Sequence, residues 1–236
     1  MTKITRVRQV LNPNGQGRHL ALLISLLFLF VVSPFVLPLR YGVILMDIAG
    51  VIVLLLGLHA ISARKGSFIV ATVLAFCTVA ASWLMVVLQR EPILIASYGL
   101  VLVLLGLFSF SILGYVLRAD KISADKIYGA VCVYLLVGYA WTFGYATMEL
   151  IQPGSFSGLA EKETISYAER VMELRYFSLA TLTTVGYGDI APRSSVARTM
   201  ATLEAIMGQF YLAVLVARLV GLHIVHASAS RSDDPK

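Results

Sequence analysis

Six apolar runs divide this chain, each long enough to cross a hydrocarbon layer about 30 Å thick. They are Leu20 to Leu39, Tyr41 to Ala63, Gly66 to Gln89, Ile93 to Leu117, Ile127 to Met148 and Thr199 to Ala217. The first is interrupted near its end by Pro34 and Pro38, the second carries Asp47, the fourth holds no charge, and the sixth contains Glu204. Between the fifth and sixth runs, Tyr176 to Thr184 is apolar but only nine residues long. As a helix it reaches about 14 Å, too short to span. The pattern therefore predicts an all-α membrane protein with six transmembrane helices and one re-entrant helix between the last two. Irregular backbone at membrane depth is tolerated only against protein or a water-filled cavity.

Composition supports lipid as the main solvent. Charged residues make up 14% of the 236 and hydrophobic residues 58%, where a soluble domain carries roughly a quarter charged. Mean hydropathy is +0.84. Cys77 and Cys132 both sit in apolar runs, which fits small buried side chains and not a disulfide framework. The net charge of +6 fits loops facing anionic lipid, with no nucleic-acid partner. With the N-terminus inside, 12 of the 19 Lys and Arg residues lie on the cytoplasmic side and 7 outside. Charge asymmetry in the short loops therefore places both termini in the cytoplasm, in a cell (inner or plasma) membrane. The outer loop from Gln152 to Arg175 holds Glu161, Glu163, Glu169 and Glu173. These acids either concentrate cations at an opening or form an ordinary solvated surface.

After the short apolar segment come Thr183-Thr184-Val185-Gly186-Tyr187-Gly188-Asp189. Glycine at alternate positions accepts positive φ without steric cost, which lets successive carbonyls face one side. Such carbonyls can replace the water around a dehydrated ion. Those of Thr184, Val185, Gly186 and Tyr187, with the Thr184 hydroxyl, supply the oxygens, and Val185 and Tyr187 point away. One chain supplies one strand of such a path, and four identical chains are the simplest closure.

This motif, set between a short apolar helix and full spans, resembles the signature of the potassium channel family within the pore-loop cation channel superfamily. The six-span layout is that of a prokaryotic-type channel without voltage-sensing arginines. The resemblance implies a homotetramer with potassium ions as permeant species, and a re-entrant pore helix leading into a selectivity filter at Thr184 to Gly188. It implies filter support from Thr183, Asp189 and Tyr176, with Tyr176 able to hydrogen-bond Asp189. Some relatives have an acid in mid pore helix where this chain has Ala180. It also implies a hinge in the inner helix at Gly208, 24 positions after Thr184. The other reading of Gly208 is a small residue for close helix packing. Gln209, Leu212 and Val216 follow on the cavity side at helical spacing. Ala217 and Val220 are candidates for an apolar constriction.

The first four runs resemble a voltage sensor in topology only. The fourth has no arginine, and steep voltage gating needs several charges per subunit, each exchanging about 2.3 kcal/mol per 100 mV. The chain thus divides into a cytoplasmic tail (1–19), a four-helix bundle (20–121), a pore domain (122–222) and a short tail (223–236). Two intramembrane acids remain. Asp47 is a functional candidate or a polar bond between helices. Glu204 either anchors the pore helix or sets the charge of the cavity. The function expected is passive, potassium-selective conduction with little or no voltage dependence. The alternatives are a less selective cation channel and a non-conducting sensor or regulatory subunit. No nucleophile–base or metal cluster points to an enzyme.

Overall fold

The computed structural model describes residues 17–61, 65–88, 90–118, 123–160 and 166–232, apart from the side chains of residues 65, 86 and 219–232. The helices in chain order are α1 (Arg18–Val36), α2 (Gly42–Ile61), α3 (Lys65–Leu88), α4 (Glu91–Val116), α5 (Ala124–Ile151), α6 (Tyr167–Leu182) and α7 (Ser195–Ser232). Two-residue strands β1 (Phe156–Ser157) and β2 (Ala191–Pro192) flank α6. All helices except α6 are long and apolar enough to cross a membrane. This is a multi-pass membrane protein. Large apolar side chains such as Phe35, Phe76, Trp83 and Phe110 point outward, where lipid tails solvate them.

The spans match the apolar runs to within a few residues, and local chemistry explains several of the ends. Pro92 falls in the first turn of α4, where its missing N–H has no helical partner to lose. At α5, Ser123 is the N-cap and its side chain accepts from the Lys126 N–H, so the helix starts ahead of its apolar stretch.

The short segment differs more. Helix α6 begins at Tyr167, not Tyr176, and has 16 residues. Its first half, Tyr167-Ala168-Glu169-Arg170-Val171-Met172-Glu173-Leu174-Arg175, is too polar to register as an apolar run. Its start is set by a capping box. Ser166 accepts from the Glu169 N–H at 3.3 Å, and the Glu169 carboxylate accepts from the Ser166 N–H at 2.7 Å. At roughly 24 Å, α6 remains too short to span. Helix α7 continues to Ser232, into the segment read as a short tail. The N-terminal residues 1–16 and the expected boundary between bundle and pore domain, at 119–122, lie outside the described residues.

The bundle α1–α4 packs on α5 of its own chain. Leu22, Leu26, Phe108, Ile112 and Leu136 lie in one buried core. At one end of that core, His19 Nδ1 lies 2.7 Å from Asp125 Oδ2, and both residues are buried. Asp125 Oδ1 also accepts from the Gly17 and His19 N–H groups, and Tyr115 Oη donates to Oδ2. The His19 ring stacks on Tyr115 with centroids 5.0 Å apart. Midway along, Tyr139 of α5 donates to the Leu26 carbonyl.

Asp47 is exposed on α2 and has no hydrogen-bond or ion-pair partner among the described residues. The polar bond between helices considered for it is not formed among the described residues.

Candidate functional site

The Thr183–Asp189 segment leaves the C-terminal end of α6 in an alternating backbone conformation. Thr184, Gly186 and Gly188 have φ of 58°, 54° and 82°, while Val185 and Tyr187 are not in the positive-φ region. Positive φ at Gly186 and Gly188 follows from the glycines. At Thr184 it does not, because a β-branched residue in that region is an outlier held by its surroundings. The hold is visible. Thr184 N–H donates to Thr181 O at 2.9 Å, and the Val185 and Gly186 N–H groups both donate to Ala180 O, at 2.8 and 3.3 Å. The turn is closed by α6's own last carbonyls. From α7, Gln209 Nε2 donates to Thr184 Oγ1 at 3.3 Å. Thr183 turns its hydroxyl back onto Leu179 O at 2.6 Å.

The outer end of the segment is braced by Tyr176, whose phenol donates to Asp189 Oδ2 at 2.8 Å. The Tyr176 ring stacks on Tyr187 at 6.2 Å and 9°. Beyond Asp189, β2 pairs antiparallel with β1, Phe156 opposite Pro192 and Ser157 opposite Ala191. Arg193 N–H closes the clip on Ser155 O at 2.7 Å. Phe156, Phe177 and Tyr145 form an edge-to-face triangle, centroids 5.2–5.3 Å apart, that seats the clip and α6 on α5. Gly158, just after β1, has φ +83°, and a Cβ there would lie 1.8 Å from Asp189 O. Nothing in the spacing of motifs singles out Gly158.

Three further groups fix α6. Arg175, expected in the outer loop, is buried. It donates to Ser33 of α1 and lies over the rings of Phe30 and Tyr139 at 5.7 and 5.6 Å. Tyr134 donates to the Leu182 carbonyl at 3.0 Å. Glu204 has no exposed surface and bonds Ser178 of α6 and Tyr145 of α5. These bonds tie α7 to α6 and α5.

Helix α7 runs unbroken through Gly208, where a Cβ would lie 2.2 Å from Leu182 O. Helix α7 thus approaches the Leu182 carbonyl closely at this glycine. Leu212, Val216 and Ala217 are exposed on the isolated chain, and the Val220 side chain lies outside the described residues. Val185 and Tyr187 are 52% and 72% exposed, so within one chain neither is packed away. Glu161 and Glu163 lie outside the described residues. Glu173 accepts from Ala160 N–H and Glu169 serves the capping box, so these two acids have structural partners.

Residues 154–222, which span the clip, α6, the glycine segment and most of α7, match a family model described as ion channel. Over those residues the chain is similar to the ion-channel family. Two pore potassium channel a from Oryza sativa subsp. japonica is 37% identical over 87 residues. That stretch is 37% of this chain and 21% of the rice protein, so the chain spans about a fifth of that relative's length. No solved structure matches at a comparable level of significance. The family match leaves α1–α5 uncovered.

The Glu169 carboxyl is held below the usual carboxylate range, first by the Ser166 backbone N–H and then by the Ser166 hydroxyl. A depressed folded value means the cap contributes its stability above the ordinary pKa of about 4.3 and loses it as pH falls through the lower folded value. Titration of Glu169 followed by NMR should give a midpoint below the ordinary value. Ser166→Ala should move it back toward that value, and an unchanged midpoint would contradict the capping assignment.

Proposed function

We propose that the chain is one subunit of a homotetrameric, potassium-selective channel that conducts passively down the electrochemical gradient. The observation that carries this reading is the alternation of handedness along Thr184-Val185-Gly186-Tyr187-Gly188, with positive φ at every second residue. Alternation turns successive carbonyls to one side, as replacement of a potassium hydration shell requires. Thr184, Val185, Gly186 and Tyr187 offer their carbonyls, Thr184 adds its hydroxyl, and Gly188 completes the strand. Helix α6 acts as the pore helix. Its C-terminal end carries partial negative charge directed at the ion path. Thr183, Tyr176 and Asp189 support the filter.

Four copies around an axis also account for surface that one chain leaves bare. Val185, Tyr187 and the α7 side chains Leu203, Met207, Phe210 and Val214 are all exposed on the isolated subunit. Neighbouring filters and inner helices would cover part of this surface. Gln209, reaching Thr184, lies at the inner end of the filter. Leu212, Val216, Ala217 and Val220 continue toward the cytoplasmic opening, with Gly208 as the position about which α7 would bend. The domain division is the one given by the apolar runs, a bundle to residue 121 and a pore domain over 122–222. Both termini face the cytoplasm, and the protein resides in the cell (inner or plasma) membrane. Helix α4 has no Lys or Arg, so its conductance depends little on voltage.

The test is potassium flux from purified protein in liposomes, with reversal potentials in mixed sodium and potassium. Selective potassium flux is expected from the parent. Gly186→Ala should lose it, because a side chain strains the positive φ of 54° that the alternation needs, although its Cβ would meet nothing within 4 Å in the chain. Selective flux retained by that variant would remove the filter assignment, and equal sodium and potassium permeability in the parent would remove selectivity. A steep conductance–voltage curve in symmetric potassium would remove the gating reading.

A further inference from the structure

Glu204 lies between α5, α6 and α7 with no exposed surface, and Ser178 and Tyr145 beside it are equally buried. Its Oε1 is 2.5 Å from Ser178 Oγ and its Oε2 is 2.6 Å from Tyr145 Oη. Ser178 Oγ is also 2.7 Å from Gly138 O. Oxygen atoms this close are held by a hydrogen between them. A serine hydroxyl has one proton to give, and a backbone carbonyl has none. The hydrogen between Ser178 and Gly138 is therefore the serine's own. The hydrogen between Ser178 and Glu204 must then come from Glu204. On the other oxygen, the Tyr145 phenol supplies the proton. The count closes only if Glu204 carries one.

The surroundings agree. Among the described residues, no Lys, Arg or His lies within ion-pair distance of Glu204. An ionised carboxylate buried without a cation is strongly disfavoured. As a neutral acid the group satisfies both oxygens and both neighbours.

We infer that Glu204 is held as a neutral carboxylic acid, donating to Ser178 and accepting from Tyr145, and that it is the positioning residue through which α7 sets the filter. The route is short. Ser178 lies in the last turns of α6, and Ala180 in the same stretch holds the Val185 and Gly186 N–H groups. This chain has no acid at Ala180, and the carboxyl that steadies α6 comes instead from the inner helix. The consequence for selectivity rests on the proposed filter. The protonation state does not.

Three variants test the assignment in purified protein and in liposomes: Glu204→Gln, Glu204→Ala and Ser178→Ala. Infrared difference spectra of parent against Glu204→Gln should show one protonated-carboxyl carbonyl band in the parent that the variant lacks. An ionised-carboxylate pair of bands lost instead would overturn the inference. Glutamine can donate through its amide and accept through its carbonyl, so Glu204→Gln should keep the parent's melting midpoint and permeability ratio. Glu204→Ala should lower the midpoint and raise relative sodium permeability several-fold. If that variant does not assemble, Ser178→Ala, which removes one small hydroxyl, should raise sodium permeability in the same direction with the tetramer intact. Parent-like selectivity in both would overturn the positioning role. If the parent itself does not select potassium, the proposed filter fails, while the infrared band and the melting order still decide the state of Glu204.

Discussion

Gly158→Ala should destabilise the protein by about 3 kcal/mol, combining roughly 1–2 for a side chain at positive φ with about 1–3 for overpacking. The added Cβ would fall 1.8 Å from Asp189 O and 2.9 Å from Asp189 C. Both are backbone atoms, so no side chain can rotate out of the way. Relief has to come from parting β1 from β2 or from moving Asp189, and Asp189 is the acceptor for Tyr176. The variant should therefore melt earlier and conduct with reduced selectivity. Gly154→Ala is the matched control. It shares the positive φ, at 82°, but its Cβ would meet nothing within 4 Å, so it should cost only the backbone strain of about 1–2 kcal/mol. Equal melting of the two variants would show that the clash with Asp189 is not what matters.

Gly208→Ala separates two roles for one glycine. In a helix interior the change by itself stabilises by about 1 kcal/mol. If Gly208 were only a hinge, the variant would melt later and open less readily. The structure gives the opposite sign. The new methyl would lie 2.2 Å from Leu182 O, and that carbonyl already accepts from Tyr134. Overpacking against a backbone that cannot yield costs about 1–3 kcal/mol, so a net loss of about 1 kcal/mol is expected. Because Thr184 follows Leu182 by two residues, the displacement should also raise relative sodium permeability. A higher melting midpoint with unchanged selectivity would restore the hinge-only reading.

Much of the architecture was legible because lipid imposes a simple length rule. Each span had to show itself as an apolar run, and each did. The rule failed where burial is against protein. The first half of α6 carries Glu169, Arg170, Glu173 and Arg175, so it read as loop, although the Ser166-x-x-Glu169 cap marked its start in plain sequence. The filter-like string was visible from its glycines, but the positive φ of Thr184 was not, since it depends on bonds to Thr181 and Gln209. Contacts between distant segments left no local trace. Arg175 on Ser33, His19 on Asp125 and Glu204 on Ser178 and Tyr145 each join residues from different helices. Only the awkwardness of an acid at Glu204 signalled that a partner must exist. Asp47 gave the same signal, and among the described residues nothing answers it.

The His19–Asp125 contact also bears on how the protein is made. The two residues are 106 positions apart, on the first helix and the fifth. At roughly 5–20 residues per second, the carboxylate that His19 needs emerges from the ribosome some 5–20 s after it. During that interval the first helix occupies the translocation machinery or the bilayer with its imidazole unmatched. It can take its final seat only when the fifth helix arrives. Biogenesis therefore has a built-in order, in which α1 is secured against α5 only after α5 has been made.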